Sequence, residues 1–380
     1  MRILIISHEY PPLGGGGANA CMHLSKEYIK MGHQVTLVTA WYEGLLDEET
    51  DGDFKIIRLH AKRAKVEHCS FPEMLDYLLK ALKKADELVK KDNFDICQVF
   101  FAIPSGPVGW YLKKKYKLPY IIRFGGGDIP GFQERFKSIY KLIGPFEKIL
   151  LKKADALVVN SDGLKNMLSD FYNKKPITII TNGADVSAND DVLSKKSKAD
   201  TFRILFVSRL IARKGVQDFL PCYKSLCEEY GDRISLRIVG DGPFREELER
   251  MTDELGIRKN VIFEGQKTKA ELPEYYSNAD LFVFPSHKEG MPNVVLEAMS
   301  YGLPILMTPC EGSKELINKN GYAISVSDFN EKIKELMADE DKLKGMGSES
   351  LRMIREEFNW TGVAKKYDEL LTSIIEQGRL

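Results

Sequence analysis

The sequence predicts an α/β fold of two doubly wound domains, each a parallel sheet wrapped by helices. Three observations carry that prediction. The run RILIIS at Arg2–Ser7 returns as RILFVS at Arg203–Ser208, so the chain opens the same motif twice. Each half then alternates short β-rich apolar runs with helical patterns, the pattern of strand–helix–strand units on a parallel sheet. Between the halves, SANDDVLSKKSKAD (Ser187–Asp200) holds few apolar residues and reads as a linker. At roughly 150 residues per domain, a chain of 380 residues also leads to two.

In the first half the strand runs are Arg2–Ser7, Gln34–Thr39, Ile96–Phe101, Tyr120–Phe124, Ala156–Asn160 and Ile177–Thr181. Continuous apolar runs of this length suit strands covered on both faces. The second half adds Arg203–Ser208, Ser235–Val239, Val261–Phe263, Leu281–Phe284 and Pro304–Thr308. The last amphipathic segment, Gly362–Ile375, is expected to return to the first domain. The expected division is therefore 1–186 and 187–361, with 362–380 packed back on the first. In such sheets ligands bind beyond the carboxyl ends of the strands, so two domains facing each other would form a central cleft there.

Composition narrows the class. Hydrophobic residues make up 43% and charged residues 29%, as in ordinary globular proteins. The apolar run Ile3–Ile6 is too short for a signal-peptide core or a membrane span, which leads to the expectation of a cytoplasmic protein. Six scattered cysteines lack metal-type spacing and read as reduced thiols, and no metal site is expected. Net charge is zero, yet residues 101–153 hold eleven Lys/Arg against three Asp/Glu, a local excess of eight.

Three loops carry the chemistry. After the first strand, HEYPPLGGGGANA places Gly14 to Gly17 before a helical pattern, where backbone N–H groups can approach an anion; a turn with no ligand is the plainer reading. A dinucleotide site is disfavoured, because six residues separate the strand from the glycines and Asn19 stands at the third position. After the matching strand of the second half, RLIARKGVQDF clusters Arg209, Arg213 and Lys214 near Gly215. Such cations suit a diphosphate, although a solvated loop also carries them.

The third loop lies in HKEGMPNVVLEAM, where Glu289 and Glu297 stand eight positions apart. Proline is favoured at a helix start and disfavoured inside, so Pro292 predicts a helix beginning there and closed by Gly302. Glu289 then precedes the helix and Glu297 lies in it between Leu296 and Ala298. The N–H groups of Asn293, Val294 and Val295 would be unpaired at the positive end of the helix dipole. A carboxylate among apolar neighbours needs donors, which ligand hydroxyls or a salt bridge would supply.

The series PPLGGGGA, NSDGL, NGAD, SRLIARKG, VGDGP and EGMPNVVLEAMSYGLPI, with the closing FNWTGVAKKYDELL, resembles the retaining nucleotide-sugar glycosyltransferases of family 4, which have the GT-B fold. The resemblance covers nearly the whole chain. It implies an acceptor-side first domain and a donor-side second domain. Gly15 and Gly16 would sit against the donor diphosphate, and Arg209 and Lys214 would neutralise it on departure without a metal ion. Glu297 would bind the ribose hydroxyls, Asn293 to Val295 would hold phosphate, and Glu289 would position the transferred sugar. A UDP-sugar is favoured over a GDP-sugar, and the acceptor is a hydroxyl of a glycan or lipid-linked molecule, in polysaccharide or glycolipid assembly.

Where many relatives carry a histidine near the acceptor, this sequence reads IIRFGGGDIPG. Asp128 there is a candidate for contact with a sugar, or simply a turn-forming aspartate. In the basic stretch, Phe136, Tyr140, Ile143, Phe146 and Leu150 recur at helical spacing. That face packs inside the first domain, or else the stretch, with Lys113, Lys114 and Lys115, meets an anionic membrane on the cytoplasmic side. Nucleic acid is disfavoured by the neutral charge and the lack of a binding motif. Rival readings on the same fold are a nucleotide-sugar 2-epimerase, which needs no acceptor, and a binding protein that does not consume the donor.

Overall fold

The computed structural model describes residues 1–66, 69–132, 137–185 and 200–379. The chain divides into two compact units, Met1–Asn182 with Trp360–Leu380, and Gly183–Asn359. The division falls before the expected 186/187 because Ala184 already pairs with Asn359 in a short parallel bridge, its N–H donating to the Phe358 carbonyl at 2.8 Å. Of the linker expected at Ser187–Asp200, residues 187–199 lie outside the described residues.

The first unit runs β1 (Arg2–Ile6), α1 (Gly16–Lys30), β2 (Gln34–Ala40), β3 (Glu48–Asp51), β4 (Phe54–Leu59), α2 (Phe71–Lys91), β5 (Ile96–Phe100), α3 (Gly106–Tyr116), β6 (Tyr120–Arg123), α4 (Lys137–Lys153), β7 (Ala156–Val159), α5 (Asp162–Phe171) and β8 (Ile177–Ile179). Its eight strands are ordered β3-β4-β2-β1-β5-β6-β7-β8, parallel except for the antiparallel β3 at the edge. Ile3 to Ile6 of β1 have no exposed surface, as a central strand covered on both faces requires. The β3–β4 hairpin was not expected, although Asp51-Gly52-Asp53 between its strands is a hairpin turn signal, with Gly52 at φ +57°. In this unit every expected strand but β2, which runs one residue further, stops one or two residues short of its expected end. Phe101, for example, sits at φ +69° and cannot extend β5.

The second unit runs β9 (Phe202–Val207), α6 (Val216–Tyr230), β10 (Ile234–Val239), α7 (Arg245–Glu254), β11 (Val261–Gly265), α8 (Leu272–Ser277), β12 (Leu281–Phe284), α9 (Asn293–Ser300), β13 (Ile305–Met307), α10 (Ser313–Leu316), β14 (Gly321–Ala323), α11 (Phe329–Ala338) and α12 (Glu340–Glu356). All six strands are parallel, in the order β11-β10-β9-β12-β13-β14. This is the doubly wound order that reverses beside its first strand, and the first unit repeats it around β1 and β5. The last helix, α13 (Trp360–Arg379), belongs to the first unit. Its Val363, Ala364, Tyr367 and Leu371 are buried in one cluster with Cys21, Leu24 and Tyr28 of α1.

Helix α4 differs from its expected packing. Phe136 lies outside the described residues, and Phe146 points outward, 38% exposed, beside Leu142 at 83% and Ile149 at 45%. The buried face instead carries Leu150, Leu151 and Glu147, whose two carboxyl oxygens have no hydrogen-bond partner among the described residues. Burial, reinforced by nearby Asp128, pushes the Glu147 carboxyl up to about 8.

This has a stability consequence with a definite sign. Between 4.5 and about 8 the folded protein keeps a proton on Glu147 that the unfolded chain releases, so stability falls as pH rises through that window. One proton corresponds to about 1.4 kcal/mol per pH unit. Denaturant titrations across the window should show Glu147→Gln gaining on the wild type as pH rises. Parallel curves for the two proteins would rule this out.

Candidate functional site

In the second sheet the order reverses between β9 and β12, and the loops leaving their carboxyl ends meet. The loop after β9 makes a short helical turn, Ala212–Lys214, and ends at Gly215 with φ +72°. A Cβ on Gly215 would lie 1.9 Å from the Pro285 carbonyl oxygen, so only glycine permits this approach. The contact sets Lys214 against Glu289. Glu289 Oε1 accepts from Lys214 Nζ at 2.8 Å, from Arg213 Nη1 at 3.0 Å and from the Ser286 hydroxyl at 2.9 Å, and the Glu289 N–H donates to Glu311 at 3.1 Å.

Lys214 and Glu289 are each 13% exposed, so the pair is largely out of water. Burial pulls the Lys214 pKa down, Glu289 pulls it up, and the charges of Arg213 and Arg209 push it down again. Arg209 itself is exposed. Two cations hold the Glu289 carboxylate, a third, Arg209, acts on Lys214, and the Glu311 carboxylate takes the Glu289 N–H, so the cluster of three cations and two carboxylates keeps a net positive charge for an anionic ligand to meet.

Pro292 is the N-cap of α9, which starts at Asn293, as the proline predicts. One expectation there is corrected: the Val295 N–H is not unpaired but donates to the Pro292 carbonyl at 3.1 Å. Tightening of the first turn explains this, since a helix start can satisfy its N–H groups with shorter-range bonds. Asn293 and Val294 are half-buried at the same helix start, and Glu297 lies one turn on. The Tyr276 hydroxyl donates to Glu297 at 3.0 Å, while burial raises the Glu297 pKa and Lys269 lowers it. Tyr276 is stacked on Tyr301, with ring centroids 5.3 Å apart.

In the first unit Gly15 is the N-cap of α1 and Gly16 its first residue. The Glu9 carboxylate lies against this loop, close enough that a Cβ on Gly14 would come within 2.3 Å of Glu9 Oε2. Asp128 is buried and accepts from the N–H groups of Ala102 at 2.9 Å and Gly125 at 2.8 Å, tying the loop after β5 to the loop after β6. These bonds fit the turn-forming aspartate that the sequence offered beside contact with a sugar. Among the described residues, no group of three His, Cys, Asp or Glu side chains is placed to hold a metal ion.

Two family sequence profiles match end to end: Glycosyltransferase Family 4 over residues 14–188 and Glycosyl transferases group 1 over residues 189–353. The chain belongs to glycosyltransferase family 4. The alpha-monoglucosyldiacylglycerol synthase of Streptococcus pneumoniae is 25% identical over 80% of this chain and 70% of that protein. Among solved structures, a sucrose-phosphate synthase from Thermosynechococcus elongatus superposes with a TM-score of 0.84 at 21% identity, covering 99% of this chain and 100% of that one. The Anabaena protein HepE, crystallised with UDP and glucose, gives a TM-score of 0.75 at 19% identity over 98% and 100%. The fold is thus GT-B, with two Rossmann-like units, and the chain is a glycosyltransferase.

Sequence reasoning placed Arg209, Lys214, Glu289, Asn293, Val294 and Glu297 in one unit, at loops and a helix start of one sheet edge. It missed Ser286, Glu311 and Tyr276. Ser286 stands three positions before Glu289 and Glu311 22 positions after it, both outside the motif that spacing picks out, whereas Tyr276 sits in α8, one helix ahead of the motif. Removing the Tyr276 hydroxyl leaves the Glu297 carboxyl without a donor the structure gives it. Tyr276→Phe should therefore cost about 1–3 kcal/mol of stability by chemical denaturation, and an unchanged unfolding midpoint would contradict this account.

Proposed function

We propose that this glycosyltransferase moves a sugar from a nucleoside diphosphate sugar, UDP-linked in preference to GDP-linked, to a hydroxyl of a glycan or lipid-linked acceptor, with retention of configuration and without a metal ion. The observation that carries the reading is the Lys214–Glu289 pair at the reversal point of the second sheet, with Arg209 and Arg213 beside it. The preference for UDP draws on the ligand of HepE, and a lipid-linked acceptor on the product named for the pneumococcal synthase.

In this reading Lys214 and Arg209 face the diphosphate and stabilise the charge that grows on it as the bond from the sugar C1 to the phosphate oxygen breaks. The new bond forms from C1 to the acceptor oxygen on the same face, and the acceptor proton passes to the departing phosphate oxygen. Glu289 does not attack C1. Its carboxylate is held by Lys214, Arg213 and Ser286, which lowers its nucleophilicity and suits it to orient sugar hydroxyls. The start of α9 at Asn293 and Val294 directs its positive dipole end to phosphate, and Glu297 takes the ribose hydroxyls.

Helix α4 supports a peripheral membrane contact. Leu142, Phe146 and Ile149 lie outward among Lys141, Lys148 and Lys152, an apolar strip within a basic frame. The three lysines of α3 are a weaker anchor than the sequence implies. Lys113 is paired with Asp155, Lys115 with Asp86, and Lys114 lies over the Trp110 ring. No helix among the described residues is long and apolar enough to cross a membrane.

Two experiments test these readings. A hydrogen bond to a charged group is worth about 1.5–3 kcal/mol, so Glu297→Ala should weaken calorimetric binding of UDP by about 10- to 150-fold. Glu289→Gln should leave UDP affinity nearly intact and lower kcat for the full donor, with rates measured in excess chelator. Loss of UDP binding in a folded Glu289→Gln protein, retention of it in Glu297→Ala, or a chelator-sensitive rate contradicts the assignment. For the membrane, replacing Leu142, Phe146 and Ile149 by serine should reduce sedimentation with phosphatidylglycerol vesicles at least several-fold. If the wild type ignores such vesicles, the strip has another partner.

A further inference from the structure

The peptide group that leads into Glu289 is held from both sides. Its carbonyl, that of Lys288, accepts from the Arg213 guanidinium, and its N–H, that of Glu289, donates to Glu311 Oε2 at 3.1 Å. In a trans peptide the carbonyl and the N–H leave opposite edges of one plane, so bonds at both edges stop that plane from rotating. The Glu289 Cα lies in the same plane, and the direction in which its side chain departs is set with it.

Glu311 reaches this peptide because the loop after β13 is fitted against the loop after β12 at two further points. The Thr308 hydroxyl donates to the Ser286 carbonyl at 2.5 Å. A Cβ on Gly312 would lie 2.2 Å from the Gly290 carbonyl oxygen and 3.1 Å from Met291 Cα, so the two backbones touch there and leave no room for a side chain. Thr308, Glu311 and Gly312 therefore meet Ser286, Glu289 and Gly290 in turn. Glu311 forms no ion pair among the described residues, and its carboxylate serves the Glu289 N–H. An ionised acceptor makes such a bond stronger than a neutral one would. Glu297, by contrast, owes its place to α9 and to the Tyr276 hydroxyl.

We propose that Glu311 is a positioning residue of the transfer reaction: through the peptide between Lys288 and Glu289 it holds the Glu289 carboxylate in the direction that orients the donor sugar, while binding of the nucleotide end does not depend on it. This role rests on the reading of Glu289 as the group that orients the sugar. Without Glu311 the peptide keeps only its Arg213 bond and can turn about it, and the buried N–H loses its acceptor.

The test compares wild type, Glu311→Ala, Glu311→Gln and Glu311→Asp. Release of UDP from UDP-glucose, UDP-galactose and UDP-N-acetylglucosamine is followed with water as the acceptor, beside calorimetric titration with UDP and thermal unfolding. Alanine removes the acceptor of the Glu289 N–H. Glutamine keeps an oxygen for it and drops the charge, and no cation is stranded by either change. Small misplacements of a positioning group cost rate steeply, so Glu311→Ala should lower kcat about 10- to 100-fold on the donor that the wild type consumes. Its Kd for UDP should stay within about twofold of wild type, and Glu311→Gln should restore most of the rate. An unchanged kcat in Glu311→Ala overturns the proposal. So does a glutamine variant as slow as alanine, which would mean that the charge itself meets the sugar, or a loss of UDP affinity in step with the rate, which would mean a merely structural role. If Glu311→Ala does not fold, Glu311→Asp takes its place: one methylene short of the N–H, it should lose the rate that glutamine keeps. A wild type that binds no UDP, or binds it and consumes none of the three donors, overturns the donor reading and this role with it, whereas an active wild type with indifferent Glu311 variants overturns this role alone.

Discussion

An ammonium and a carboxylate buried together hold the working edge of the second sheet in shape. Lys214 and Glu289 belong to different loops, and neither can be left alone out of water without a cost of about 3–5 kcal/mol. Their pairing therefore fixes where the loop after β9 ends relative to the loop after β12, and so where α9 begins. Gly215 is the geometric condition for that pairing, since any side chain there strikes the Pro285 backbone. Arg213 shares the same carboxylate oxygen, so the cations are gathered by Glu289 even before any ligand arrives.

The internal repeat extends further than the two opening strands. In each unit the first strand is followed by a loop that ends near a glycine in the left-handed region, Gly14 in one and Gly215 in the other, just ahead of a helix. In each, a charge pair sits at that loop, Glu9 with Arg63 and Lys214 with Glu289. The sign presented to the neighbouring backbone differs. The first unit turns the Glu9 carboxylate to Gly14 ahead of its helix, and the second offers cations, so duplicated architecture carries opposite electrostatics.

Both sheets were legible in the sequence because a strand buried on two faces must be apolar without interruption, as Ile3 to Ile6 and Leu281 to Phe284 are. The β3–β4 hairpin was harder to see, since its edge strand reads EETD and its pairing depends on a neighbour rather than on its own composition. Within the site, motif spacing located Lys214, Glu289 and Glu297. It could not show that Asp128 spends its oxygens on backbone N–H groups, one of them brought to it by the fold from 26 positions away. Helix α4 misled for a related reason: periodicity finds the apolar face of a helix but not which way it points, and here Glu147 is inside and Phe146 outside.

The return of α13 to the first unit makes the second an insertion. Its two ends, Ala184 and Asn359, are bridged side by side, so it can close upon itself without pulling on its host. The host cannot close so early. Trp360, Val363, Tyr367 and Leu371 are part of the packing around α1, and the ribosome delivers them only after the whole insertion has been made. During synthesis the earliest-made half must wait with an apolar groove along α1 uncovered, while the later-made half is free to finish first. The order of folding is thereby uncoupled from the order of translation, and a nascent chain of this kind depends most on chaperone cover for its oldest segment.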